Sequence, residues 1–349
     1  MDTIVTRGIR LAALTWAPLA LASVVLATGC GDRAAPVAAE PVTEAAPAIA
    51  SGDRQIPDDV PEDRRHRLDI NPTRAVVVSA ISADGLAWAM EPGIRIGLDH
   101  ELHSKMATAP TPVQLPDGRV RVYFGGVDLE RGDARVMSAV SADGLAFQVE
   151  PGIRIRNDSG FATDPTLFTE DGQLVAYFCS CGEEFRGRFG DPYIQRASSD
   201  DGLVFRIGDV VLRQERVAYG SPEVFRTGDN WLMFVNGLGL YSADAEGRWR
   251  QVLQSFPPPG GGASVVATDS GYRLYYSAVT DGRSVIRSAV SGGGLQWTEE
   301  PGIRLQTEQG SWGLLNGDVL PLPDGRLRLY LNYPWNAETD GTPTDLATP

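Results

Sequence analysis

Three carboxylic side chains stand at the starts of three copies of one repeated pattern: Asp164 in ATDPTLF, Glu223 in GSPEVF and Asp318 in GDVLPLP. Each stands at the start of a strand-turn-strand unit, so a fold that gathers those starts brings the three acids together. Paired carboxyls in a concave site can cleave a glycosidic bond, the protonated one releasing the leaving group and the ionised one activating water. Burial beside like charge splits their pKa values in the direction this division of labour needs. Competing chemistries find less support. His100 and His103 in DHELH lack the spacing of an HExxH metal site and read as an exposed loop. No GxSxG elbow occurs, and GLGLYS does not sit between a strand and a helix as a dinucleotide site would. No cofactor or metal is expected. Cys179 and Cys181, one residue apart, are poorly placed for an unstrained disulfide and lack the second ligand pair of a zinc site, so they read as a structural pair, with oxidation open.

The elements that must position the acids repeat five times. SAISADGLAWAMEPGIRI (79–96), SAVSADGLAFQVEPGIRI (138–155) and SAVSGGGLQWTEEPGIRL (288–305) are clear copies of one unit, and residues 196–212 and 240–255 are degenerate ones. A second unit recurs at 112–126, 165–179, 222–237, 264–278 and 318–333. In RVRVYF, Val120, Val122 and Phe124 alternate with other residues, and in RLRLYL, Leu327, Leu329 and Leu331 do the same, the period of a half-buried strand. Asp-Gly between such runs is a hairpin signal. Four strands per repeat, without a sustained helical period, predict an all-β chain: a five-bladed β-propeller. The repeats begin with the second half of a unit (73–96) and end with the first half (318–333), so the last blade is expected to be closed by the N- and C-terminal segments, leaving no open edge.

The phrase EPGIRI/L, at 91–96, 150–155 and 300–305, is expected to be architecture. Pro-Gly suits the central positions of a type II turn, here placed just after the outermost strand, with Ile-Arg-Ile packing one apolar face on the next blade. SADGLAW looks like the Asp box of sialidases, but Asp84-Gly85 and Asp143-Gly144 are adjacent where that box spaces them by one residue. Asp84 and Asp143 are expected to bond turn backbone, and Trp88, Phe147, Phe205 and Trp297 to pack between blades.

Over residues 73–333 the chain resembles the five-bladed furanosidase-type hydrolases, glycoside hydrolase families 43 and 32. ATDPTLFTEDGQLVAYF resembles the blade-two segment whose Asp orients the acid and tunes its pKa, which implies that role for Asp164. GSPEVFRTGDNWLMF resembles the blade-three segment carrying the general acid, although there the Glu precedes the Pro and here Glu223 follows it; a one-position shift in a strand turns a side chain to the other face. At the blade-one place of the general base, the chain has Thr111 in MATAPTP, leaving Asp318 as the nearest substitute and the acidic triad incomplete. The resemblance implies a carbohydrate substrate or ligand, and two functions stay open: a glycoside hydrolase, or a non-catalytic propeller that binds a sugar or a peptide.

Before this domain, Arg7 and Arg10 precede an apolar run that ends in LATGC at Cys30, an export signal that resembles the lipobox of bacterial lipoproteins. Residues 1–29 are read as signal peptide, Cys30 as the lipidated residue, 30–72 as an Ala/Pro/charged tether, 73–335 as the propeller and 336–349 as a polar tail. Gly31 after the Cys points to the outer membrane of a bacterial envelope, with the lipid as the membrane contact. A formal net charge of −14 argues against nucleic acid, which needs clustered positive charge. A monomer is expected.

Overall fold

Apolar alternation bounded by Asp-Gly turns produces strands wherever the sequence repeats. The structure, a computed structural model, describes residues 74–98, 106–128, 133–157, 161–181, 192–213, 220–254, 262–281, 283–306 and 316–334; Cys30, the tether, the tail, His100 and His103 lie outside these, as does the side chain of Cys181. The described residues hold strands and turns and no helix.

The strands form antiparallel meanders. In chain order, β1 (Ala75–Ser82) and β2 (Ala89–Ile96) come first, then β3 (Met106–Gln114), β4 (Val120–Asp128), β5 (Asp133–Ser141) and β6 (Gln148–Val149). A third group is β7 (Phe161–Glu170), β8 (Gln173–Cys181), β9 (Tyr193–Ser199) and β10 (Arg206–Arg213); a fourth is β11 (Gly220–Thr227), β12 (Asn230–Asn236), β13 (Gly239–Ala243) and β14 (Trp249–Gln254). The fifth comprises β15 (Ala263–Thr268), β16 (Gly271–Thr280), β17 (Arg283–Ser291), β18 (Thr298–Glu299) and β19 (Leu305–Gln306), and β20 (Gly317–Pro321) and β21 (Leu327–Pro334) follow. The latter two pair with the first strands in the order β20-β21-β1, with β2 on β1. β1 runs antiparallel to β21 in unbroken register from Ala75↔Pro334 to Ser82↔Leu327. A single parallel bridge, Ala75↔Met106, joins this meander to β3.

Alternation predicts half-buried second strands, yet both faces are covered. Val122 and Phe124 are buried on one face of β4 and Arg121 and Tyr123 on the other. The polar face is not solvated because it meets the next meander. The Tyr123 hydroxyl donates to Gly202 O at 2.8 Å, the Tyr330 hydroxyl to Gly144 O at 2.8 Å and the Tyr275 hydroxyl to Gly85 O at 2.9 Å.

EPGIRI/L completes the same three seams. Gly93, Gly152 and Gly302 take φ of 91°, 86° and 93°, as the Pro-Gly turn requires. The turn lies within the outermost strand line rather than after it, because pairing resumes beyond it at Val77↔Ile96, Val136↔Ile155 and Ile286↔Leu305. Arg95, Arg154 and Arg304 are buried, and each reaches a carbonyl across a seam: Leu145, Leu203 and Leu86. The Glu of the phrase binds an arginine of its own meander, Glu91 with Arg328, Glu150 with Arg121 and Glu300 with Arg273, each at 2.8 Å. The expected apolar Ile-Arg-Ile face is thus only half present: the last apolar residue (Ile96, Ile155, Leu305) enters the core and the arginine does the bridging.

The turn aspartates behave as backbone anchors. Asp84 Oδ1 accepts from the amides of Leu86 (2.8 Å) and Ala87 (2.9 Å), and Asp143 Oδ1 from those of Leu145 (2.8 Å) and Ala146 (2.9 Å). Those bonds hold the Asp143 carboxyl down at about 2. Trp88, Phe147, Phe205 and Trp297 each meet an aromatic ring of a neighbouring meander: Tyr275, Tyr330, Tyr123 and Phe234.

Candidate functional site

The strands that open the meanders, β3, β7, β11, β15 and β20, each contribute residues to the lining of one cavity. Asp164, Glu223 and Asp318 all line it, so the fold brings together the three acids that the repeat pattern singles out.

Local backbone decides how they stand. Ala109, Asp164 and Ser221 take φ of 45°, 51° and 45°, left-handed values that are uncommon outside glycine, and each precedes a proline, which further disfavours helical backbone. The other two non-glycine residues of this kind, Asp171 and Asp281, sit at turns. Register breaks accompany them between Thr108 and Thr111, Thr163 and Thr166, and Gly220 and Pro222. Strained backbone concentrated on one cavity is a mark of function.

Cross-strand partners establish which residues correspond. Thr111, Thr166, Glu223, Ser264 and Asp318 pair with Tyr123, Tyr177, Phe234, Tyr275 and Tyr330, equivalent positions of the second strands. Glu223 and Asp318 therefore occupy one level, and Asp164 lies two residues earlier, level with Ala109 and Ser221. This corrects the sequence alignment, which set Thr111 beside Asp164; the residue at that place in β3 is Ala109. Unequal hairpins conceal the offset: five residues separate Gln114 from its partner Val120 and two separate Glu170 from Gln173, so counting back from the turn glycine does not reach one level.

The first level is a belt of hydrogen bonds. Thr111 Oγ1 donates to Pro165 O at 2.5 Å, and Thr166 Oγ1 donates to Glu223 Oε2 at 3.0 Å. Glu223 Oε1 accepts from the Val265 amide at 2.8 Å. The Ser264 hydroxyl donates to Asp318 Oδ1, which also accepts from the Val319 amide at 2.7 Å. At the second level, the Ser221 hydroxyl donates to Asp164 Oδ2 at 2.9 Å and Thr163 Oγ1 to Asp164 Oδ1 at 3.1 Å.

Among the described lining residues none is a cation, and the carboxyls are pushed up. Burial raises Asp164 against its hydroxyl donors. Burial, and then the charge of Asp318, raise Glu223 well above the ordinary value. Burial pushes Asp318 up to about 6. Glu223 and Asp318 thus hold a proton to higher pH than two isolated carboxyls would. Thr166, Thr163 and Ser264, which supply the donors, escape a search for acids; their only signal is a hydroxyl near the start of each opening strand.

No protein-family model matches the chain, and no curated protein matches it. Solved structures match in fold. A thermostable family-43 glycoside hydrolase is similar at 12% identity and TM-score 0.50, over 70% of this chain and 93% of that one. The α-L-arabinofuranosidase from Lactobacillus brevis is similar at 13% identity and TM-score 0.51, over 68% and 86%. A family-32 β-fructofuranosidase from Bombyx mori is similar at 14% identity and TM-score 0.50, over 64% of this chain and 55% of that one. At such identities the likeness concerns the fold: the all-β architecture of propeller glycoside hydrolases.

Proposed function

We propose that this is an exported, lipid-anchored protein that acts on a glycan as a glycoside hydrolase, with Asp164, Glu223 and Asp318 as its working carboxyls. The observation that carries the reading is that three acids from three meanders line one cavity with no cation among the described lining residues, two of them hindered from ionising together. Such a pair supplies a protonated group and an ionised one near neutral pH, the requirement of acid–base cleavage. The five meanders are read as five blades of a ring whose last blade combines β20 and β21 with β1 and β2; the long β1–β21 register supports that closure. The cavity then opens the central channel. An acidic lining favours a neutral glycan over a uronate or sialate, which like charge would repel.

A screen of the purified protein on neutral aryl glycosides and polysaccharides tests the reading. Asp164→Asn and Glu223→Gln are expected to lower kcat/KM by about 10²–10⁴-fold, the usual contribution of a positioned proton-transfer group. Asp84→Asn and Asp143→Asn are the controls, lowering stability and leaving turnover per folded molecule unchanged. Activity that survives both site substitutions would contradict the assignment. A second reading, glycan binding without turnover, draws on one observation: Ala109 and Ser221 occupy the places level with Asp164, so that level holds a single acid. Saturable binding of a neutral oligosaccharide with no product formed would establish it instead.

Export and anchoring rest on the signal ending at Cys30. Cys30→Ser is expected to release the protein from the membrane fraction; a variant that stays membrane-bound without accumulating precursor would overturn the lipid anchor.

A further inference from the structure

Asp164 is held by a chain of side chains that crosses the cavity mouth. Its Oδ2 accepts from the Ser221 hydroxyl on β11 at 2.9 Å, and the Ser221 oxygen accepts from Asn316 Nδ2, beside β20, at 3.1 Å. Thr163 Oγ1 reaches Oδ1 from the other side. Three meanders thus converge on one carboxylate.

Two glycines make room for this chain. A Cβ on Gly125 would collide with the Thr163 hydroxyl, and one on Gly262 would collide with the Asn316 amide; neither glycine has a positive φ to explain it. Backbone geometry points the same way. Ser221 and Asp164 both hold left-handed φ, a conformation that persists where surrounding bonds over-determine it. The Asn316 main chain is itself fixed, its carbonyl accepting from the Asn332 amide at 2.9 Å. An asparagine locked at both ends is a rigid donor, and a serine between it and a carboxylate passes on that rigidity.

We infer that Ser221 and Asn316 are positioning residues that aim the Asp164 carboxylate into the cavity, leaving its remaining lone pairs to accept hydrogen bonds from the hydroxyls of a neutral sugar. The sugar half of this inference rests on the proposed glycan function; the positioning half does not. A carboxylate oxygen has capacity for more than one donor, and Oδ1 and Oδ2 each have one side-chain donor here. Among the described residues, the titratable groups around Asp164 are Glu223 and Asp318 across the cavity and the Cys179 thiol beside Gly220.

The test is carboxyl-carbon NMR on the full-length chain labelled at aspartate, with the Asp164 signal assigned by Asp164→Asn. Hydrogen bonds to an ionised carboxylate favour the ionised form, so removing the Ser221 hydroxyl is expected to move the Asp164 titration to higher pH. Ser221→Gly and Ser221→Ala should do so equally, although glycine suits the left-handed backbone and melts higher. Asn316→Ala and Gly262→Ala should move it the same way by a smaller step. A purely structural role would track melting temperature; a positioning role tracks the missing hydroxyl. An Asp164 titration unchanged in both Ser221→Gly and Asn316→Ala would overturn the inference. A titration shifted in these variants, together with a wild-type chain that neither binds nor cleaves neutral glycans, would uphold the positioning and overturn its sugar half.

Discussion

Two sets of carboxylates in this molecule differ both in how deeply they are enclosed and in their partners. At three seams, Glu91, Glu150 and Glu300 each face an arginine and a serine hydroxyl, from Ser79, Ser138 and Ser288 respectively, at 2.7 Å. Around the cavity, the described partners of Asp164, Glu223 and Asp318 are hydroxyls and backbone amides. The outcome is opposite in sign. Burial alone would raise Glu150 and Glu300, but the arginine and serine bonds outweigh it and hold both below the ordinary value. Burial prevails at the cavity. Among the described residues, three acids are met by arginine at the seams and three others stand at one mouth without it, the contrast expected if the first set builds the fold and the second serves the proposed chemistry.

A contrast among the seams sharpens this. The seams on either side of the β11–β14 meander lack the arginine–glutamate lock and are packed with rings: Phe168 and Tyr177 against Trp231 and Trp249 on one side, Phe225 and Phe234 against Tyr272 and Trp297 on the other. The meander that carries Ser221 and Glu223 is held by apolar packing.

The largest expected effect follows. Phe234→Ala should cost about 3–5 kcal/mol by urea denaturation, the range for emptying a buried ring position. A loss below about 1 kcal/mol would mean that this seam does not depend on its rings. Glu150→Ala should cost about 2–4 kcal/mol, less than a fully enclosed pair because Glu150 keeps 16% of its side chain exposed. Tyr123→Phe removes one buried donor and should cost about 1 kcal/mol. Breaking the exposed hairpin pair with Asp324→Asn should leave the melting temperature unchanged, since such pairs are screened by solvent.

The two sets also divide by pH. Glu150 and Glu300 have folded-state values below the unfolded value of 4.5, so their stabilisation is present above that pH and is lost as pH falls through the folded values. Asp318 is reversed. Its unfolded value of 3.8 lies below its folded value of about 6, so between these the folded chain binds more protons and stability falls as pH rises. Urea midpoints for Glu150→Gln should therefore approach those of the parent as pH falls to acid, and a constant difference would contradict the seam assignment.

The strands and their turns were readable because alternation and Asp-Gly signals are local. The seam locks were not: alternation in RVRVYF and EPGIRI sends Arg121 and Arg154 to solvent, and only a second meander stacked on that face makes the polar side an interior. The acids were readable as residues near strand starts and not in their levels. Counting back from the turn glycines sets Thr111 beside Asp164, because the hairpin loops differ in length; the pairing instead puts Thr111 level with Thr166 and Glu223, two residues past the Asp164 level. The donors to Asp164 arrive from 57 and 95 residues of separation along the relay, beyond any local pattern.

The most direct test of a mouth kept acidic for work rather than for folding needs no substrate. Urea unfolding of the wild type and the Glu223→Gln/Asp318→Asn double variant should be compared at pH 8 and pH 4. Asp318→Asn keeps the one oxygen that accepts from Ser264 and Val319, and Glu223→Gln keeps an oxygen for the Val265 amide and sets an amide donor against the rotatable Thr166 hydroxyl, which can turn to accept. The like charges are removed, so the variant should be more stable than the wild type at pH 8, with the gain disappearing by pH 4. A variant less stable than the wild type at pH 8 would make Glu223 and Asp318 structural anchors of the hydrogen-bonded belt and contradict the account.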